Sequence, residues 1–245
     1  MIVTCSIVKG GTGKTSTSTA LCQAAIASKK KALLVDLDPQ GSATARIGAD
    51  KEAPGAFEVL QGSAKAVEVI QKTAQGVDII AGCRDLSTLT TYRGSARRLA
   101  EALAEIRGKY DIIAVDLAAS MGELLYNAIY ACDKLVIPME TDSGGIEGLI
   151  EVIETVRQIR PEDLPEMGVI MTRYDGRANI NRQIREQIAA GAPSVGAEYW
   201  GEIRAGVAIR EAQALHASIF EYAPKSKPAI DYMNLYKTIT RKGRK

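Results

Sequence analysis

Residues 1–16, MIVTCSIVKGGTGKTS, run from a short apolar stretch into a loop of small residues and leave it through Lys14-Thr15. A strand, a glycine-rich loop and a helix opening on Lys-Thr form the layout of a phosphate cradle. Where side chains are small, consecutive backbone N–H groups can turn toward an anion at a helix N-terminus, and the helix dipole favours negative charge there. Lys14 is then placed for the β- and γ-phosphates and the Thr15 hydroxyl for Mg²⁺. The dinucleotide pattern GxGxxG fails, because Gly11 and Gly13 are followed by Ser16 where a third glycine is needed. The usual triphosphate loop GxxxxGK[ST] is also incomplete, since Val8 holds its first glycine position. Lys9 follows, so two lysines flank Gly10, Gly11, Thr12 and Gly13.

Outward from this loop, β-rich apolar runs alternate with helical periodicity. Strands are expected at 2–8, 32–36, 77–81, 111–116, 134–139 and 168–172, and helices at 15–29, 94–107, 122–131, 143–158, 177–190 and 227–240. Strands that are apolar on both faces and separated by helices predict a doubly wound, mostly parallel α/β sheet covered on both sides. The chain has 245 residues and shows no linker, so one domain spanning 1–245 is expected.

Two aspartates follow the second strand in DLDPQGSAT (36–44). Pro39 ends ladder pairing, which leaves Asp38 at the carboxyl edge of the sheet, where α/β folds bind ligands. A carboxylate there can orient a water toward a γ-phosphate. Asp36 is expected near the metal, with a turn or capping role as its alternative. YDIIAVD (110–116) is an apolar strand ending in Asp116, placed to hold Mg²⁺ through water.

Together these stretches resemble the deviant Walker A ATPases, the ParA/MinD/nitrogenase-iron-protein group, whose loop reads K-G-G-x-G-K-[ST]. KGGTGKTS matches it throughout, and DLDPQGSAT is similar to the ParA segment D-x-D-P-Q-G-[NS]-[AS]-T. The resemblance extends through NAIYACDKLVIPMETDSGGIEGL (127–149) and GVIMTRYDGRANINRQIREQI (168–188). It implies that Gly10, Gly11, Thr12, Gly13, Lys14, Thr15 and Ser16 bind ATP, and that Thr15, Asp36 and Asp116 serve Mg²⁺. It also makes Asp38 the hydrolytic aspartate and sends Lys9 across to the nucleotide of a second subunit, in an ATP-sandwich homodimer. Two departures stand out. DLAASMG (116–122) replaces the family's D-T-P-P-S-L-G, and IRAGVAIREA (203–212) replaces I-P-R-N-V-R-L-S-E-A, so that Ala208 falls where some members carry a DNA-binding arginine.

Charge is balanced at net +2 and apolar residues make up 46%, which places the chain among ordinary globular proteins. Its four cysteines form no CxxC pair and His216 is its lone histidine, which speaks against a zinc site, a disulfide framework or the iron–sulfur cluster of a reductase. A reducing cytoplasm is the expected compartment, with the start read as a strand and not a leader.

From Lys225 onward there are seven basic residues and one acid. Arg210, Lys225, Lys227, Arg241 and Lys242 are therefore candidates for DNA phosphates, and YAPKSK (222–227) resembles the ParA Y-D-P-x-S-x segment. The reading that results is a ParA-type ATPase. It binds non-specific double-stranded DNA as a nucleoid-associated dimer, hydrolyses ATP slowly, and partitions a plasmid, chromosome or mobile element with a ParB-like partner. The rival readings are a MinD-like membrane-surface ATPase and a P-loop metabolic enzyme or reductase. Tyr232, Leu235, Tyr236 and Ile239 have docking-helix spacing, which predicts that the C-terminal segment packs on the domain and not on a bilayer.

Overall fold

The computed structural model describes residues 1–6, 10–91, 96–118, 122–141 and 145–241. In chain order the elements are β1 (Ile2–Cys5), α1 (Lys14–Ala27), β2 (Ala32–Leu37), α2 (Ser42–Arg46), α3 (Ala56–Gln61), β3 (Ile70–Lys72), β4 (Asp78–Ile80), α4 (Arg98–Ala104) and β5 (Ile112–Leu117). There follow α5 (Glu123–Ala131), β6 (Lys134–Met139), α6 (Gly145–Ile159), β7 (Glu166–Tyr174), α7 (Asn179–Gly191), β8 (Glu198–Arg204), α8 (Ala208–Ala214), α9 (Ile219–Tyr222) and α10 (Lys227–Thr240).

The strands form one eight-stranded sheet in the order β3-β4-β2-β5-β1-β6-β7-β8. Among the described strands, only the short β3 runs antiparallel to its neighbour. The chain moves one way from β1 toward β2 and the other way from β5 toward β6, so the strand order reverses beside β1. In open α/β sheets such a reversal opens a crevice at the carboxyl ends of the strands.

Side-chain alternation assigns the two faces. Leu33, Val35, Leu37, Ile113, Val115, Leu117, Leu135 and Ile137 pack on one side, under α3 to α7. Leu34, Ile112, Ala114, Val136 and Ile170 pack on the other, under α1 and α10. The same parity turns Asp36 and Asp116, in register on neighbouring strands, toward the α1 face. The long apolar residues of α10, Tyr232, Leu235, Tyr236 and Ile239, are all buried in that layer.

Two strands were not anticipated, β3 and β8, and both are sheet edges. In β8 Glu198, Glu202 and Arg204 interrupt the apolar run, and an edge strand needs only one buried flank. Trp200 of β8 lies flat on Gly168 of β7, where a Cβ would come within 1.8 Å of the indole. The helix expected at 94–107 is shorter, beginning at Arg98.

Candidate nucleotide site

The loop after β1 is shaped by glycine where the backbone requires it. Gly11 and Gly13 have φ of +82° and +88°, in the left-handed region that side chains disfavour. Gly13 is also the cap of α1, and no side chain caps that helix, so its first N–H groups remain available to an anion. Thr172 at the end of β7 anchors the loop: its Oγ1 donates to the Thr12 carbonyl at 2.8 Å and lies 3.2 Å from the Met139 carbonyl. Lys14 is almost wholly buried. Burial lowers the pKa of its ammonium, while Asp116 and Asp38 pull it back up.

The two expected metal carboxylates have different surroundings. Asp36 Oδ1 accepts from the Asp38 N–H at 3.0 Å, and Oδ2 accepts from the Thr44 N–H at 2.8 Å and the Thr44 hydroxyl at 2.7 Å. Thr44 Oγ1 in turn accepts from the Gly82 N–H at 2.9 Å. Three donors thus hold Asp36, which ties the loop after β2 to the sheet, the turn role that stands as its alternative to serving the metal.

Asp116 Oδ1 accepts from the Ser18 hydroxyl at 3.0 Å, and the Thr15 hydroxyl also bonds this carboxylate. Its Oδ2 is buried and has no hydrogen-bond partner among the described residues. Burial, reinforced by the neighbouring Asp36, pushes the Asp116 carboxyl up to about 7. A buried orphan oxygen beside the Thr15 hydroxyl fits a cation that reaches the site with phosphates. Among the described residues no group of three His, Cys, Asp or Glu side chains could hold a metal, so such a cation would share its shell with phosphate oxygens and water. Asp38 is half-buried at the rim, where its Oδ1 accepts from the Gln40 N–H at 2.9 Å.

From the loop a cleft of about 800 Å³ opens between α1, the end of β7 and the segment 203–213. Gly13, Ser16, Arg46, Thr172, Ile203 and Tyr232 are among its walls. It is large enough for a nucleoside. The sequence left the base-contacting residues open, and Arg46, Ser18 and Thr172 carried no role in it. Ser18 could have been found from its place one turn beyond Lys14 on the same helix face.

Lys9 and Lys242 lie outside the described residues, as does part of the DLAAS departure. Arg210, Lys225, Lys227 and Arg241 are all exposed. His216 is exposed too, in a left-handed conformation with φ of +48°, and its carbonyl accepts from Gln75.

A parallel sheet with this loop, a carboxylate behind it and an adjoining cleft defines a P-loop nucleotide-binding protein. The AAA domain family model matches residues 1–168. The sporulation initiation inhibitor protein Soj of Bacillus subtilis is 33% identical over 96% of this chain and 96% of its own. The chromosome partitioning protein ParA of Caulobacter vibrioides is 30% identical over 94% of this chain and 90% of its own. Among solved structures, the septum site-determining protein MinD of Pyrococcus horikoshii, complexed with Mg-ADP, superimposes with a TM-score of 0.80 at 24% identity, covering 98% of this chain and 96% of that one. The chain belongs to the ParA/MinD family of P-loop ATPases and is a ParA-type ATPase.

Proposed function

We propose that this chain binds Mg·ATP at the loop 9–16, dimerises around it, binds DNA without sequence preference, and hydrolyses ATP slowly to drive partition of a DNA cargo with a ParB-like partner. The observation that carries the nucleotide step is the orphan Asp116 Oδ2 behind Thr15 and the uncapped start of α1. The N–H groups of Gly10 to Ser16 cradle the phosphates, and Lys14 offsets their charge. Thr15, Asp36 and Asp116 would serve the magnesium ion, which would neutralise charge on the β- and γ-phosphates. Asp38 orients the attacking water, and Lys9 serves the nucleotide of the second subunit. The base and ribose take the cleft beside Thr172 and Ile203. The protein works as a single domain with the segment 225–245 docked on it, in the cytoplasm at the nucleoid.

Arg210, Lys225, Lys227, Arg241 and Lys242 contact DNA phosphates. Burial of the apolar side of α10 favours this over a membrane-surface role, which would need that side exposed. No helix among the described residues is long and apolar enough to cross a membrane.

Size-exclusion chromatography with ATP or ADP, with and without non-specific duplex, tests dimerisation and DNA binding together. Lys14→Ala should abolish ATP binding, and Lys9→Ala should leave it intact while blocking the dimer. Lys225→Ala with Lys227→Ala should lower the slope of log K against log[salt] by roughly 3 to 4 if each protomer of a dimer makes both contacts. An unchanged slope would mean that the cluster is only a solvated face.

A further inference from the structure

Arg46 ends α2, and its side chain reaches across to α1, where Nη1 donates to Ser16 Oγ at 2.8 Å. A guanidinium carries five N–H donors. That bond is the one the Arg46 side chain makes to the described residues, the Arg46 carbonyl accepting from Gln75 Nε2 at 3.4 Å, and no ion pair holds the side chain among them. Burial lowers its pKa, opposed by the more distant Asp116. A half-buried cation with most of its donors unspent, on the wall of a cleft, is incomplete without an anion.

The position of that anion follows from the loop. Lys14 serves the β- and γ-phosphates and Thr15 the metal, whereas Ser16, one residue further along α1, lines the cleft that leads to the nucleoside. Ser16 Oγ also accepts from Gln213 Nε2 at 3.3 Å, so donors from two distant segments converge on one point. The phosphate at that point is the one attached to the ribose.

We propose that Arg46 is a nucleotide-binding residue, its guanidinium taking the α-phosphate of the nucleotide held by its own subunit. This rests on the ATPase reading above. Asp36 and Gly82 pin Thr44, two residues before Arg46, which fixes the backbone from which the side chain reaches. The same short segment carries Asp38, so an α-phosphate contact steadies the hydrolytic loop whether the nucleotide is ATP or ADP.

The test is isothermal titration of Mg·ADP and a non-hydrolysable Mg·ATP analogue into the full chain, its Arg46→Gln and Arg46→Ala variants and the charge-conserving Arg46→Lys. Loss of a charge-assisted phosphate contact should weaken both nucleotides by about 10- to 100-fold, and by equal factors, with Arg46→Lys recovering most of the affinity. The melting temperature of the nucleotide-free protein should hold in Arg46→Gln, while its rise on adding ADP shrinks. Parental ADP affinity in Arg46→Gln would reduce Arg46 to a strut between α1 and α2. A loss confined to the triphosphate would move its contact to the γ-phosphate. Both results overturn the assignment, and should Arg46→Ala not fold, Arg46→Gln decides. If the parental chain binds neither nucleotide, the ATPase reading fails and takes this inference with it; parental binding with an unaffected variant removes this inference alone.

Discussion

The ends of β2 and β5 lie side by side in the sheet, with Asp36 and Asp116 in register and equally inaccessible to solvent. Asp36 spends both oxygens on three donors from the chain that follows it. Asp116 spends one oxygen on α1 and leaves the other without a hydrogen-bond partner among the described residues. Two identical side chains on one face therefore have opposite surroundings. The chain that follows Asp36 occupies both of its oxygens, whereas one oxygen of Asp116 is left over by the described residues.

The largest expected effect tests that contrast directly. Asp36→Ala strands the N–H groups of Asp38 and Thr44 and should cost about 3 kcal/mol of stability in chemical denaturation. Asp116→Asn removes a buried charge whose desolvation outweighs the pull of Lys14 in the nucleotide-free protein. It should leave that protein as stable or more so, while weakening the magnesium dependence of ADP binding tenfold or more. Equal destabilisation by both substitutions would erase the distinction.

Asp38 rides on the loop that Asp36 holds. Asp38→Ala should keep ATP affinity and slow phosphate release roughly 10²-fold, read in a steady-state assay. Undiminished turnover would move the water-orienting role elsewhere.

A third, smaller effect sharpens the structural half. A Cβ at Gly82 would come within 2.8 Å of both Asp36 Cγ and the Asp36 carbonyl oxygen, and within 2.9 Å of the Asp38 carbonyl oxygen. Gly82→Ala should therefore cost about 2 kcal/mol, because two of those neighbours are backbone. It should also lower turnover by displacing the Asp38 loop.

The smallest effect concerns pH. The Asp116 carboxyl is raised in the folded protein from an ordinary value of 3.8 to about 7, so the folded form holds this proton more tightly than the unfolded form. The stability it contributes is fully present below pH 3.8 and is lost as pH rises through about 7. Without nucleotide or magnesium, the melting temperature should fall by on the order of 5 °C between pH 5 and pH 8. Asp116→Asn should flatten that slope, and an unchanged slope in the variant would assign it to other groups.

The central strands were legible because each is buried on two faces and must be apolar throughout, as ALLVDL and IIAVDL are. The edges were not, since β3 and β8 need only one covered flank and mix charge with apolar residues. The helix α10 was legible to its boundaries, with Ser226 as its cap and Pro228 in its first turn. The one-turn helices α2 and α9 carry too few residues to show a period.

By itself the sequence determined the chemistry of the phosphate end. Loop, lysine, threonine and strand-end carboxylates are local patterns, set by which residues can cradle an anion or end a buried strand. What Asp36, Asp116 and Arg46 touch was decided only by the tertiary structure. Asp38 and Thr44 donate to Asp36, Gly82 holds Thr44, Ser18 and Thr15 meet Asp116, and Arg46 finds Ser16 thirty positions away. A side chain's spare hydrogen-bonding capacity is what remains after its neighbours in space have been counted, and those neighbours come from segments far apart in the chain.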